Sequence, residues 1–254
     1  MLFARELSHA AAKAILPYFR AQTPVDVKAG ADWDPVTEGD RAGERIIRTM
    51  IEKRYPSHGI IGEEYGEKPG SSDLQWILDP VDGTRAFVIG LPTWANLIGL
   101  YQDDTPIIGL MSQPFVGDMF FGHQGGAWLD HRGSVEPIRV SNCETLADAY
   151  IGTTTPHRFE GEHAAGLNRL RTSCRHMRYG GDAYFFSLLA AGHLDIAMDP
   201  ELQIYDIAAL IPIIQGAGGI IGSWTNNNPN QGGNVLTAAS QKLFDQAKEQ
   251  MTNQ

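Results

Sequence analysis

The chain has 254 residues, 43% of them hydrophobic and 20% charged, which suits one large globular domain or two modest ones. A net charge of −10 argues against nucleic acid or an anionic membrane as partner. Cys143 and Cys174 stand far apart without a C-x-x-C spacing and read as free thiols of a reducing cytoplasm. Arg5, Glu6 and Lys13 interrupt the first apolar positions, so no signal peptide is evident, and the apolar run from Ile204 to Ile221 is broken by Asp206, Pro212 and Gln215.

Residues Leu2 to Phe19 place Phe3, Leu7, Ala10, Ala11, Ala14, Ile15 and Tyr18 on one face, the pattern of an amphipathic helix. Thr23 to Trp33 reads as a loop, and its Lys28, the only cation between Arg20 and Arg41, is by position a solvated lysine. Asp34 precedes Pro35 and favours extended backbone. Thr37 with Asp40 three residues on resembles a capping box for a helix carrying Gly43, Ile46, Ile47, Met50 and Ile51 at helical spacing. Gly59 to Gly62 is a short strand, with Glu63 and Glu64 at its end.

The stretch from Gln75 to Thr84 carries the most chemistry. Trp76, Ile77 and Leu78 predict a strand that breaks at Pro80, which cannot donate to a sheet ladder. Asp79 and Asp82 flank the break, and Gly83-Thr84 follows. Carboxylates at the end of a buried strand are costly unless a cation or donor meets them, and Mg²⁺, Mn²⁺ and Ca²⁺ prefer oxygen ligands. Gly83 and Thr84 can aim backbone N–H groups at an anion if a helix opens there. The same residues also make an ordinary turn with an Asp cap, so this stretch alone leaves both readings open. Glu63 and Glu64 repeat the arrangement at a second strand end, where open sheets gather ligands. A surface acidic turn running into Glu67 and Lys68 is the plainer alternative.

Strands near Ile107–Met111, Met119–Phe121 and Ala127–Leu129, separated by Pro114, Gly117 and Gly125-Gly126, predict an antiparallel meander. A boundary near Gly133 to Ser141 divides the chain into residues 1–135 and 136–254. Beyond it the pattern predicts a strand at Ala149–Gly152, a helix around His163–Leu170 and a strand near Met177. Asp182 is placed to cap an apolar helix, Ala183–Ala191, that Gly192 closes. Leu194–Met198 reads as a strand ending at Asp199. Tyr205-Asp206 starts the most apolar helix, with Asp206 in the first turn, where the helix dipole favours an anion. Capping alone explains Asp206; metal ligation is the sharper reading. Gly216–Gly219 ends that helix, Gly232-Gly233 feeds the last strand, and Lys242–Met251 is a terminal helix. No nucleophile elbow, phosphate-binding lysine loop or dinucleotide fingerprint occurs.

In order along the chain, Asp34-Pro35-Val36-Thr37-x-x-Asp40, Gly62-Glu63-Glu64, Trp76 through Thr84, Tyr205 through Ala209 and Gly216 through Gly219 resemble the inositol monophosphatase family of Mg²⁺-dependent phosphatases. Arg85-x-Phe87 and Gly180 through Tyr184 look most like its histidinol-phosphate phosphatase branch. The resemblance implies an α/β fold, an αβαβα layered α+β sandwich of two similar-sized halves, assembled as a homodimer. It implies Glu63, Asp79, Asp82 and Asp206 as ligands of two or three Mg²⁺ or Mn²⁺ ions, with the Val81 carbonyl adding an oxygen. Asp40 and Thr84, with Glu63 beside them, would serve the attacking water. The Gly83 and Thr84 N–H groups would hold the phosphate, Lys28 matches the family's loop lysine, and Asp182 and Asp199 fall at substrate-contact positions.

Such ions would bridge the phosphate, lower the pKa of a bound water and stabilise the leaving oxygen; no protein nucleophile is signalled. The expected substrate is a small phosphate ester, L-histidinol phosphate of histidine biosynthesis, because an acidic pocket suits a cationic alcohol. Inositol 1-phosphate or another sugar phosphate is the alternative. A non-catalytic protein of the same fold is disfavoured by the full set of ligands and the Asp40/Thr84 pair. A paired-carboxylate glycosidase explains neither Gly83-Thr84 nor Glu63-Glu64.

Overall fold

The computed structural model describes residues 1–21, 24–27, 35–225 and 227–252, so Lys28 and Asp34 lie outside the described residues. Helix α1 (Leu2–Ile15) buries Ala4, Leu7, Ala11 and Ile15, the i, i+3, i+4 stripe of a surface helix. It stops short of the expected Phe19 and passes into a 3₁₀ turn, Leu16–Tyr18, because Pro17 has no N–H for the Lys13 carbonyl. Strand β1 (Val25–Val27) pairs antiparallel with β2 (Pro35–Thr37), where a loop was expected. All three β1 residues are exposed, so no alternation of burial marks them; backbone pairing makes the strand. Helix α2 (Glu38–Arg54) opens with the capping box at Thr37 and Asp40.

Strands β3 (Gly59–Gly62), β4 (Gly66–Lys68) and β5 (Leu74–Asp82) follow, then helix α3 (Thr84–Val88) and the meander β6 (Ala95–Gln102), β7 (Thr105–Gln113), β8 (Asp118–His123), β9 (Gly126–His131) and β10 (Ser134–Pro137). They form an eight-stranded sheet in the order β10-β9-β8-β7-β6-β5-β3-β4. Only the β3–β5 pair is parallel. Strand β5 does not break at Pro80. It runs on to Asp82, with its pairing to β6 shifting between Asp79 and Asp82. The proline sits in a bulge, where the ladder asks for no donor.

The chain continues with β11 (Tyr150–Thr153), α4 (Gly161–Ser173), β12 (His176–Tyr179), α5 (Asp182–Ala190), β13 (Ile196–Leu202), α6 (Ile204–Ile207), α7 (Leu210–Gly216), β14 (Ile220–Gly222), β15 (Gly233–Ala238) and α8 (Gln241–Thr252). Their sheet has the order β12-β11-β13-β15-β14, with β11 parallel to both neighbours. The apolar helix expected after Tyr205 is split into α6 and α7, since Pro212 leaves the Ala208 carbonyl without its helical donor. Asp182 is not the cap of α5. It is the first helical residue, at φ +44°, and Gly181 holds the cap position. Asp199 does not end β13 but lies within it, at a second bulge.

Five layers result. Helices α1 and α2 cover one face of the large sheet through Leu7, Ile15, Ile47, Ile51, Leu78 and Ile98. Helices α5 and α7 fill the space between the sheets, Phe186, Leu210 and Ile213 meeting Leu97, Met111 and Phe120 on one side and Ala197 and Val235 on the other. Helices α4 and α8 cover the far face of the small sheet through Leu167, Leu170, Leu243 and Met251. A Cβ on Gly109 of β7 would stand 1.8 Å from the Ala209 carbonyl oxygen, so glycine lets the turn between α6 and α7 close onto the large sheet. This is the αβαβα sandwich expected. No described helix is long and apolar enough to cross a membrane.

Candidate active site

In an unbroken strand Asp79 and Asp82, three residues apart, would point to opposite faces. Here Asp79 faces Leu97 and Asp82 faces Ala95, two residues apart on β6 and therefore on one face. The extra residue in β5 thus turns both carboxylates the same way. Asn96 secures the bulge by donating its Nδ2 toward the Asp79 and Pro80 carbonyls at 3.4 and 3.3 Å. Strand β3 lies parallel to β5 with Gly62 opposite Leu78, so the next residue, Glu63, arrives beside Asp79. The Glu63 N–H donates to the Leu78 carbonyl at 3.2 Å, and its side chain is hydrogen-bonded to Asp79. Asp206 comes from the other half of the chain. It is the third residue of α6, where it accepts from the Gln203 N–H at 2.7 Å. One carboxylate oxygen each from Asp79, Asp82 and Asp206 lie within 4.8 Å of one another.

Burial pushes the Asp79 and Asp82 carboxyls well above the usual carboxylate range. Crowding adds to it: Glu63, Asp82 and Asp206 act on Asp79, and Asp182 and Asp206 on Asp82, where the Ala183 N–H at 2.8 Å pulls the other way. Like charges held this close repel unless a proton or a cation stands among them. Hard oxygen donors at this spacing fit a divalent cation, which Asp79, Asp82 and Asp206 could hold, with Glu63 beside Asp79.

Beside the carboxylates, the Thr84 hydroxyl lies 3.2 Å from Asp40 Oδ1 and 3.0 Å from the Val81 carbonyl oxygen. Asp40 is buried, which raises its pKa against the opposing bonds from Thr37 and Thr84. Its Oδ2 accepts from the Thr37 N–H at 2.9 Å and from the Thr37 hydroxyl. The Val81 oxygen predicted as a metal ligand therefore already serves Thr84, with one lone pair to spare. Gly83 stands at φ +79°, and a Cβ on it would meet Asp182 Oδ2 at 3.0 Å, so the Asp182 carboxylate rests on the turn that opens α3. Burial and then Asp199 push Asp182 up to about 7, against Arg85, Thr154 and Arg158.

Asp199 sits differently. It is 2% exposed and accepts from the Thr153 hydroxyl, the Thr154 N–H and the Thr154 hydroxyl, each at 2.8 Å. Its carboxylate ties the end of β11 to β13. Glu44, Asn96, Thr154 and Arg158 border the site without having been singled out from the sequence. Glu44 had a readable signal, a charged residue four positions after Asp40 on the buried stripe of α2.

Carboxylates gathered from two strand ends and a helix start, beside a Gly-Thr turn suited to a phosphoryl group, define the class of metal-dependent phosphoric monoester hydrolases. The chain belongs to the inositol monophosphatase family, whose model matches residues 1–253. It is 38% identical over 221 residues to the chloroplastic bifunctional phosphatase IMPL2 of Arabidopsis thaliana, an alignment covering 86% of this chain but 62% of that protein. It is 34% identical over 218 residues to a histidinol-phosphatase of Chlorobaculum parvum, covering 85% of this chain and 82% of the relative. The solved structure of an inositol monophosphatase from Zymomonas mobilis superposes with a TM-score of 0.85 at 37% identity, over 98% of this chain and 95% of that one.

Proposed function

We propose that this chain hydrolyses L-histidinol phosphate to L-histidinol and phosphate with Mg²⁺ as cofactor. Glu63, Asp79, Asp82 and Asp206 would hold the divalent cation, which when bound would supply positive charge toward the phosphoryl group and lower the pKa of water. The chain's own groups do the rest. The Thr84 hydroxyl orients the attacking water and relays its proton toward Asp40 Oδ1, 3.2 Å away. Burial suits Asp40 to this work by raising its proton affinity. The Gly83 and Thr84 N–H groups hold the phosphate where α3 begins.

The observation that carries the substrate is the Asp182 carboxylate lying against Gly83. A phosphate held by that turn brings its leaving group within reach of an acid. Histidinol offers an ammonium and an imidazole, either of which would draw the Asp182 carboxyl, held at about 7 by burial and Asp199, into its charged form; an inositol ring offers no positive charge. Similarity to a named histidinol-phosphatase supports the same reading. Inositol 1-phosphate is the second reading, because Arg85 and Arg158 near Asp182 offset its charge. The test is the ratio of kcat/KM for histidinol phosphate over inositol 1-phosphate. A charge-assisted hydrogen bond contributes about 1.5–3 kcal/mol, roughly ten- to a hundredfold in that ratio. The parent should prefer histidinol phosphate, and Asp182→Asn should lose most of the preference. A parent that prefers inositol 1-phosphate would refute the proposal. The free thiols Cys143 and Cys174 support a reducing compartment such as the cytoplasm.

A further inference from the structure

Glu44 lies one helical turn after Asp40 on α2, in the stripe with Gly43, Ile47 and Ile51, and its side chain is fully buried. A buried carboxylate needs donors around it. It finds three. Arg48 Nε donates to Oε1 at 2.7 Å, the Tyr65 N–H donates to the same oxygen at 3.2 Å, and the Glu64 N–H donates to Oε2 at 2.8 Å. Both backbone donors belong to the turn that carries Glu63. The residue before Glu63 takes part as well, since a Cβ on Gly62 would stand 2.0 Å from Glu44 Oε1. The carboxylate fills the place of the missing side chain. Arg48 extends the grip by donating to the Gly66 carbonyl, and Arg45 donates to the Tyr65 hydroxyl at 2.9 Å. On the other side, the Glu63 N–H is bonded to Leu78, one residue before Asp79.

The turn is therefore held from α2 through Glu44 and from β5 through Leu78, with Glu63 between the two attachments. We propose that Glu44 is a positioning residue: it fixes the turn after β3 so that the Glu63 carboxylate meets Asp79, and thereby sets the affinity of the site for a divalent cation. This rests on Glu63 being a metal ligand. Helix α2 then serves the site twice, through Asp40 in its first turn and through Glu44 one turn later. Glutamine at position 44 would keep the size but offer one carbonyl oxygen. Its NH₂ would face either the Glu64 N–H or the Tyr65 N–H and Arg48, donor against donor.

The test is a double-mutant cycle on the full chain, reading Mn²⁺ affinity by electron paramagnetic resonance of the free ion. Glu44→Gln should weaken Mn²⁺ binding by roughly 10- to 100-fold, the usual effect of removing a group that orients a ligand. In a Glu63→Gln background the same change should cost less than about threefold, because the residue through which Glu44 acts is gone. Activity should follow, the Mg²⁺ concentration for half-maximal rate rising while kcat at saturating Mg²⁺ largely recovers. Unchanged Mn²⁺ affinity in Glu44→Gln overturns the proposal, as does an equal loss in both backgrounds, which would make Glu44 a packing residue only. If Glu63→Gln leaves Mn²⁺ binding intact, the ligand reading of Glu63 fails instead. Should Glu44→Gln not fold, Arg48→Lys enters the same cycle: it keeps the charge but cannot reach both Glu44 and the Gly66 carbonyl. A loss confined to the Glu63 background supports the proposal, and no loss overturns it.

Discussion

Thr84 has one hydroxyl proton and two acceptors, the Val81 carbonyl and Asp40 Oδ1. That choice is what a relay needs, since the hydroxyl can take up a proton's path without breaking the fold. Thr84→Ala should bind metal as the parent does while kcat falls by about 10²–10⁴, the scale of lost proton-transfer catalysis. Near-normal turnover would remove Thr84 from the chemistry. Asp199 makes a prediction of the opposite kind, one of stability. Burial raises its carboxyl to about 6, against the bonds from Thr154 and Thr153. Its protonated form is thus favoured by folding. The stability it contributes is complete below about pH 4, the unfolded value, and is lost as pH rises through 6. The Tm of metal-free protein should fall between pH 4 and 7, less steeply in Asp199→Asn. Identical profiles for the two proteins would show that Asp199 does not drive the slope.

At the scale of elements, α2 and β5 do most to shape the site. Thr37 both caps α2 and bonds Asp40 twice. Thr37→Ala should cost about 1 kcal/mol of stability, a usual cap loss. It should also lower kcat, because Asp40 loses a partner; Thr37→Ser should restore both. A variant that loses stability at unchanged kcat would separate the cap from the site. This capping box was legible because cap chemistry spans three residues. The bulge in β5 was not: Pro80 reads locally as a stop, and the residues that accommodate it, Ala95 and Leu97, lie on the next strand. The positive φ of Asp182 was hidden for the same reason, since its carboxylate is set by Gly83, about a hundred residues earlier, and not by its own helix. Strand β1 was missed because nothing in Val25–Val27 is buried. The meander was legible from Pro114, Gly117 and Gly125-Gly126, which separate its apolar runs, and the α7 core helix from its near-continuous apolarity, since Leu210 to Ile214 are all buried.

Across the whole molecule, the carboxylate cluster is a junction. Asp79 and Asp82 sit on the eight-stranded sheet and Glu63 on the turn that follows its strand β3, whereas Asp206 belongs to the helix that leaves the five-stranded one. The helical layer of α5 and α7 between the sheets sets their spacing. A cation bound there should join both sheets to one ligand and stabilise the folded chain by about 2.7 kcal/mol at a hundred times its Kd. The most direct measurement follows from that junction. The full chain is dialysed against EDTA, and phosphate release from L-histidinol phosphate and inositol 1-phosphate is followed as Mg²⁺ is returned, in the parent and in Asp206→Asn. Release should vanish in EDTA and return with Mg²⁺ in the parent, while Asp206→Asn stays folded and inactive at the same Mg²⁺. Full release in EDTA, or full Mg²⁺-restored release in Asp206→Asn, would contradict a catalytic cation held by carboxylates from both halves.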